Sequence, residues 1–204
     1  GKKAVAPIAT DLKIELTKGS VEITTAKVGV RLLQCDVPSG PPAEIKNVPG
    51  PMLAMRLGNG PWVGDSVFTG SVAVTAMKAE LVDRGPVLAR VVASYTLADS
   101  NVVTFVATVA AGDSAVRWDM QVQNDRPDVG VEFLLPPVPG VKEALFPKGY
   151  GQWAKDRKIA LTPSGVPFCN LSPDTSIVNL HITHPPHIRL AGSNGLELQL
   201  RSRD

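Results

Sequence analysis

The chain has 204 residues, 44% of them hydrophobic and 20% charged, which is long enough to bury a substantial core and too apolar for general disorder. Its 21 Lys and Arg stand against 19 Asp and Glu, scattered instead of clustered, so a net charge of +2 offers polyanions and anionic membranes little attraction. Nucleic acid is therefore not an expected partner, and no apolar run approaches the roughly 18 residues of a spanning helix.

Gly1-Lys2-Lys3 is basic, but Ala4 to Thr10 is too short and too Pro-interrupted for a signal-peptide core. The expectation is that any targeting segment has been removed and that residues 1–204 form a single β-sandwich domain, either whole or a piece of a longer polypeptide. Leu12, Ile14 and Leu16 alternate with Lys13 and Glu15, and Lys18-Gly19-Ser20 turns the chain into Val21 and Ile23, a hairpin pattern. A further strand is predicted over residues 28–35. Asp36 to Pro42 then carries three prolines and a glycine, which forbid a regular central strand and read as a loop.

Met52 to Leu57 is a short apolar segment between Pro/Gly-rich stretches, and Trp62 sits among the turn residues of 58–65. A regular pattern resumes at Val67 and continues through Val72, Val74 and Ala76 to Leu81. Residues 87–123 then form the clearest element, a β-meander with turns at Asp99-Ser100-Asn101 and at Ala111 to Ser114. Within it Val116, Trp118, Met120 and Val122 alternate with Arg117, Asp119, Gln121 and Gln123, the period-two signature of one buried and one wet face. Val131 to Leu135 reads as another strand, residues 141–158 as the least strand-like stretch, and Ile159 to Leu161, Ile177 to Ile182, Ile188 to Leu190 and Leu196 to Leu200 as closing strands. No amphipathic helix is convincing among 18 prolines, so the predicted class is an all-β antiparallel sandwich or supersandwich with long Pro/Gly-rich loops. Cys35 and Cys169 lie far apart without a CxxC or zinc context, and both a disulfide and two free thiols remain open.

The run Arg84-Gly85-Pro86-Val87-Leu88-Ala89-Arg90-Val91, then Ser94-Tyr95-Thr96-Leu97, then Ala110-Ala111-Gly112-Asp113-Ser114-Ala115-Val116-Arg117-Trp118 resembles strands of the galactose-mutarotase-like β-supersandwich. The resemblance spans roughly residues 67–135 and rests on strand and turn spacing. It implies large twisted antiparallel sheets that serve as a non-catalytic scaffold beside a carbohydrate-processing active site. The His and Glu contexts of the sugar epimerases in that superfamily have no match here, so no catalytic residue is carried over.

Candidate chemistry is sparse. His181, His184 and His187 share one heptapeptide, but residues three apart on an extended segment point to opposite faces and no Cys, Asp or Glu completes a ligand set, so no metal site or cofactor is expected. Most aspartates sit beside Gly, Ser, Asn or Pro, where turn chemistry places them. Asp119 and Glu132, flanked by apolar residues inside strands, are the acids to inspect first. No nucleophile elbow or phosphate loop is present.

Phe146, Tyr150 and Trp153 lie in an irregular basic segment with Lys148 and Gln152. With Trp62 and Arg117, the side chains of Lys148, Tyr150, Gln152 and Trp153 are the candidate glycan contacts, aromatic faces stacking on sugar C–H faces while polar groups bind hydroxyls. The alternative is that each ring covers an open end of the sandwich. Three functions follow. The first is a non-catalytic accessory or scaffold domain of a carbohydrate-active protein, secreted or periplasmic, that contacts a polysaccharide or oligosaccharide. The second is a hydrolase or lyase using sheet-face carboxylates, and the third is a structural or assembly protein that binds a protein partner or its own copies through strand edges.

Overall fold

Alternating burial along the strands sets the architecture, which the computed structural model describes for residues 10–123, 129–135, 143–145, 168–172, 178–181, 187–191 and 195–201. The strands are β1 (Lys13–Thr17), β2 (Ser20–Thr24), β3 (Val28–Leu33), β4 (Cys35–Val37), β5 (Ala43–Glu44), β6 (Met52–Leu57), β7 (Asp65–Gly70) and β8 (Ala73–Arg84). They continue as β9 (Leu88–Leu97), β10 (Val102–Ala110), β11 (Val116–Val122), β12 (Val129–Leu135) and β13 (Glu143–Leu145). The last are β14 (Phe168–Ser172), β15 (Val178–His181), β16 (His187–Ala191) and β17 (Gly195–Arg201). The fold is the expected all-β one, built of antiparallel sheets. No helix among the described residues is long and apolar enough to cross a membrane.

The chain falls into two compact units. The first draws on Gly1–Ala43, Pro51–Trp62 and Ala73–Asn124 and contains two sheets, one ordered β1-β2-β3-β6 and one ordered β11-β10-β9-β8-β4. The second draws on Glu44–Gly50, Val63–Val72 and Asp125–Asp204 and contains the sheets β16-β17-β12-β7 and β13-β14-β15.

In the first unit, the meander supplies half of the core. On β9 the residues Ala89, Val91, Ala93, Tyr95 and Leu97 are buried, and on β10 Val103, Phe105, Ala107 and Val109 are buried, each row alternating with half-buried or exposed neighbours. The register sets Phe105 opposite Ala93 and Tyr95 opposite Val103, so each aromatic ring faces a smaller side chain across the ladder. Tyr95 and Phe105 meet edge to face with ring centroids 6.1 Å apart. Burial pushes the Tyr95 phenol far above its ordinary value, so it remains neutral. The other sheet contributes Val21, Ile23, Val28, Val30, Leu32 and Met52, each no more than 1% exposed. Cys35 on β4 is a free thiol, half-buried, and desolvation raises its pKa.

Two hairpin turns, one from each sheet, are tied together at a corner of this unit. The Asp11 carboxylate accepts the Ala26 N–H at 3.0 Å and the Gly112 N–H at 2.6 Å. Thr25 Oγ1 donates to the Asp113 carbonyl at 2.9 Å, and Lys27 Nζ donates to the Gly112 carbonyl at 3.0 Å. Gly112 takes a positive φ of 72° at the turn, a conformation that costs glycine nothing.

In the second unit, the segment 44–50 is fastened along β7. Its 3-10 turn at Ile45–Asn47 buries Ile45 completely, with the Ile45 N–H bonded to the Val72 carbonyl at 2.9 Å. Pro49 bridges Val67, and Gly50 lies so close to Ser66 that any side chain there would collide with the Ser66 backbone. Phe68, Val129 and Val131 are buried beside each other on the paired strands β7 and β12.

The strand pattern differs from the sequence expectation in several places. The prolines predict a loop from Asp36, but Cys35–Val37 pairs with β8 as an edge strand, where the following Pro38 breaks no ladder. The continuous pattern from Val67 to Leu81 is two strands, since β7 pairs with β12 and β8 with β9. Phe168–Ser172, unassigned from sequence, forms the centre of the three-stranded sheet, and Glu143–Leu145 pairs with it inside the stretch read as least strand-like. Ile159 to Leu161 lies outside the described residues.

Two predictions follow from the first unit. Phe105→Ala should lower stability to urea by about 3 to 5 kcal/mol, the range for emptying a fully buried aromatic site. The Asp11 carboxyl is held below its ordinary value by the Ala26 and Gly112 N–H groups, so its contribution is present above about pH 3.8 and fades as pH falls through the lower folded-state value. Asp11→Asn should therefore melt at lower temperature than the parent at pH 7, and the gap should narrow as melts are taken progressively below pH 3.8.

Candidate functional site

The outer face of the β1-β2-β3-β6 sheet carries two rows of side chains. One is Glu15, Glu22, Arg31 and Ala54; the other is Lys13, Thr24, Gly29 and Arg56. These follow from the pleat, because their neighbours Ile14, Ile23, Val28, Val30 and Leu32 point inward. Glu22 and Arg31 are direct cross-strand partners, and Arg31 donates to Glu22 Oε1 from Nε at 2.9 Å and from Nη2 at 2.5 Å. With the two side chains only 34% and 20% exposed, this pair is better sheltered than the exposed ion pairs Lys46–Glu44, Lys78–Glu80 and Arg90–Asp83.

Trp62 folds onto this face. Its half-buried indole has the guanidinium carbon of Arg31 at 4.8 Å and that of Arg56 at 4.5 Å from the ring centroid, both within cation–π range. The close approach depends on Gly29. A methyl group there would stand 2.9 Å from Arg56 Cγ and Nε and 3.0 Å from Trp62 Cη2, so the arginine stem and the ring edge occupy the space a side chain would fill. Arg56 Nε is buried and without a hydrogen-bond partner. Among the described residues, Arg31 has a carboxylate and Arg56 has none.

The sequence-derived candidates are distributed as follows. Trp62 belongs to the cluster just described. Arg117 is exposed on β11, opposite Thr108, on the outer face of the other sheet. The structure thus places Trp62 and Arg117 on different sheets, not in one groove. Lys148, Tyr150, Gln152 and Trp153 lie outside the described residues, as does Phe146. His181 ends β15 in one sheet and His187 begins β16 in another, while His184 lies outside the description.

The acids can be placed in the same way. Asp119 lies on β11 of the first unit and Glu132 on β12 of the second, each in its own sheet. Asp119 shares its outer face with Glu80, across Val106 and Val92. That is three strand spacings, about 14 Å of backbone. Paired catalytic carboxyl groups of glycosidases stand about 5 to 9.5 Å apart. Glu80 is moreover turned along its own strand to Lys78, at 2.9 Å.

Sequence reasoning missed Glu22, Gly29, Arg31 and Arg56. The Glu22–Arg31 pair is accessible by counting outward from the turn at Ala26-Lys27, which puts 24 opposite 29 and 22 opposite 31. No protein-family model matches the chain, and neither does a curated protein or a solved structure.

Gly29→Ala should displace Arg56 and Trp62 and cost about 1 to 3 kcal/mol in chemical denaturation, as overpacking does. The accompanying change in indole emission should vanish when the same substitution is made in a Trp62→Phe background.

Proposed function

We propose that the chain is a non-catalytic β-sandwich module of a secreted carbohydrate-active protein, and that it contacts glycan through the outer face of the β1-β2-β3-β6 sheet. The observation that carries this reading is Trp62, an aromatic ring held half-open on a sheet face among two guanidinium groups and a carboxylate. Sugars present an apolar C–H face and a rim of hydroxyls, so a fixed ring bordered by charged donors and an acceptor suits both. The setting of the ring supports a rigid contact surface: Gly29 seats it, and the arginine stems flank it, leaving little side-chain freedom to be lost on binding.

The non-catalytic part of the proposal draws on the acids. Glu22, Glu80 and Asp83 are each committed to a basic partner, and Asp119 and Glu80 are too widely spaced to act as an acid and base pair. The strand spacing of 84–118, similar to that of supersandwich domains that accompany carbohydrate-processing modules, points the same way.

The test is a glycan array with the folded chain, followed by titration of Trp62→Ala against whatever binds. Binding should fall by at least tenfold in the variant while its melting transition stays cooperative. Undiminished affinity in Trp62→Ala would remove this face from the reading, and a folded parent chain that binds no glycan would overturn it in favour of an assembly role through the strand edges.

A further inference from the structure

We infer that Arg56 anchors a carboxylate subsite on this face and that the glycan it takes is a polyuronide; the inference rests on the glycan reading above and sharpens it. Two guanidinium groups share one indole but only one has a carboxylate. Arg31 directs both its Nε and Nη2 hydrogens to Glu22, and that pair is internally neutral. Arg56 is half-buried and has no ion pair among the described residues, with Nε enclosed and unbonded. A guanidinium stripped of part of its water and given no counter-charge is costly, and the quadrupole of Trp62 offsets this only in part. An incoming carboxylate would supply what is missing.

The geometry also selects the form of the anion. The stem of Arg56 lies across Gly29 and its guanidinium is held against Trp62, so the planar fork is oriented before any ligand arrives. With Nε enclosed, Nη1 and Nη2 are the donors left, a two-pronged match for the two oxygens of a carboxylate. The row to which Arg56 belongs, Lys13-Thr24-Gly29-Arg56, has a cation at each end and no acid, whereas the adjacent row contains Glu15 and Glu22. A strip with positive ends about 14 Å apart suits a chain that repeats its carboxylates better than it suits one isolated anion. Because the whole chain is nearly neutral, this preference is local and owes nothing to a general basic field.

The experiment is calorimetric titration of the chain with oligogalacturonide, with the same oligosaccharide fully methyl-esterified, and with a neutral galactan. The free acid should bind at least about tenfold more tightly than the ester, and the difference should shrink as salt is raised. Arg56→Gln should bring the acid down to the level of the ester while leaving the weaker binding of ester and galactan in place. Arg56→Lys should recover only part of the preference, since a point charge replaces a fork. Equal binding of acid and ester by the parent, or an acid preference undiminished in a normally melting Arg56→Gln, overturns the carboxylate subsite and leaves the glycan reading standing. Failure of all three sugars to bind folded protein overturns the polyuronide inference, and a blank glycan array with the same protein overturns the glycan reading as well.

Discussion

The interlocked rows of β9 and β10 are the constraint on which the first unit depends. Their register sets Phe105 against Ala93 and Tyr95 against Val103, and a slip of β9 by one residue would turn its other face, with Arg90, Ser94 and Thr96, into the core. Two hydroxyls and a guanidinium would then need partners in a space shaped for hydrocarbon, each hydroxyl at a cost of about 1 to 3 kcal/mol. The same register sets which side chains of β8 and β11 face water, and so places Arg117, Asp119 and Glu80 on one outer face and fixes their separation. Chemistry on that face is therefore limited by core packing beneath it.

The opposite sheet shows the same dependence in a different form. Gly29 has no side chain, and the consequence is a seat for Arg56 and Trp62; Ala54, diagonal to it across β3 and β6, is equally small and only 7% exposed. Placing an aromatic ring outside a sheet is ordinarily a liability, since exposed apolar surface invites association. Two guanidinium groups reduce that liability by bordering the ring with charge. Among the described residues the arrangement leaves one positive charge without a carboxylate, and the same sheet has acids that could have answered it had Glu15 or Glu22 stood on the neighbouring row. Within this sheet the register, not a shortage of carboxylates, separates Arg56 from the acids.

How much of this was legible in the sequence depends on the range of the pairing. The meander was plain because its turns are local: Asp99-Ser100-Asn101 and Ala111 to Ser114 join adjacent strands, and period-two alternation does the rest. Hairpin counting likewise contains the Glu22–Arg31 pair. Arg56 was not accessible in this way, because its pairing with Gly29 closes over 27 residues, includes two proline-rich loops, and passes a register shift at Arg31/Leu32. No local rule carries register through such a segment. The split between β7 and β8 was hidden for a related reason: Gly70-Ser71-Val72 interrupts the apolar pattern too briefly to announce that the next strand belongs to another sheet. Phe168–Ser172 alternates well enough, but it is short and lies among prolines and polar residues, so only its pairing with β13 and β15 makes it a strand.

A net charge of +2 led the sequence reading to discount electrostatic recognition, and for long-range attraction that argument stands. Recognition at contact distance obeys different physics. Screening over about 10 Å removes the field of scattered charges, but it does little to a guanidinium already half withdrawn from water. What matters there is whether the groups within a few ångströms sum to zero, and among the described residues around Trp62 they do not: two arginines face one glutamate. A balanced composition can therefore conceal an unbalanced site, and only the register that sorts acids and bases into rows shows where the imbalance falls. It falls beside the half-open ring of Trp62, so charge and aromatic face are parts of one surface.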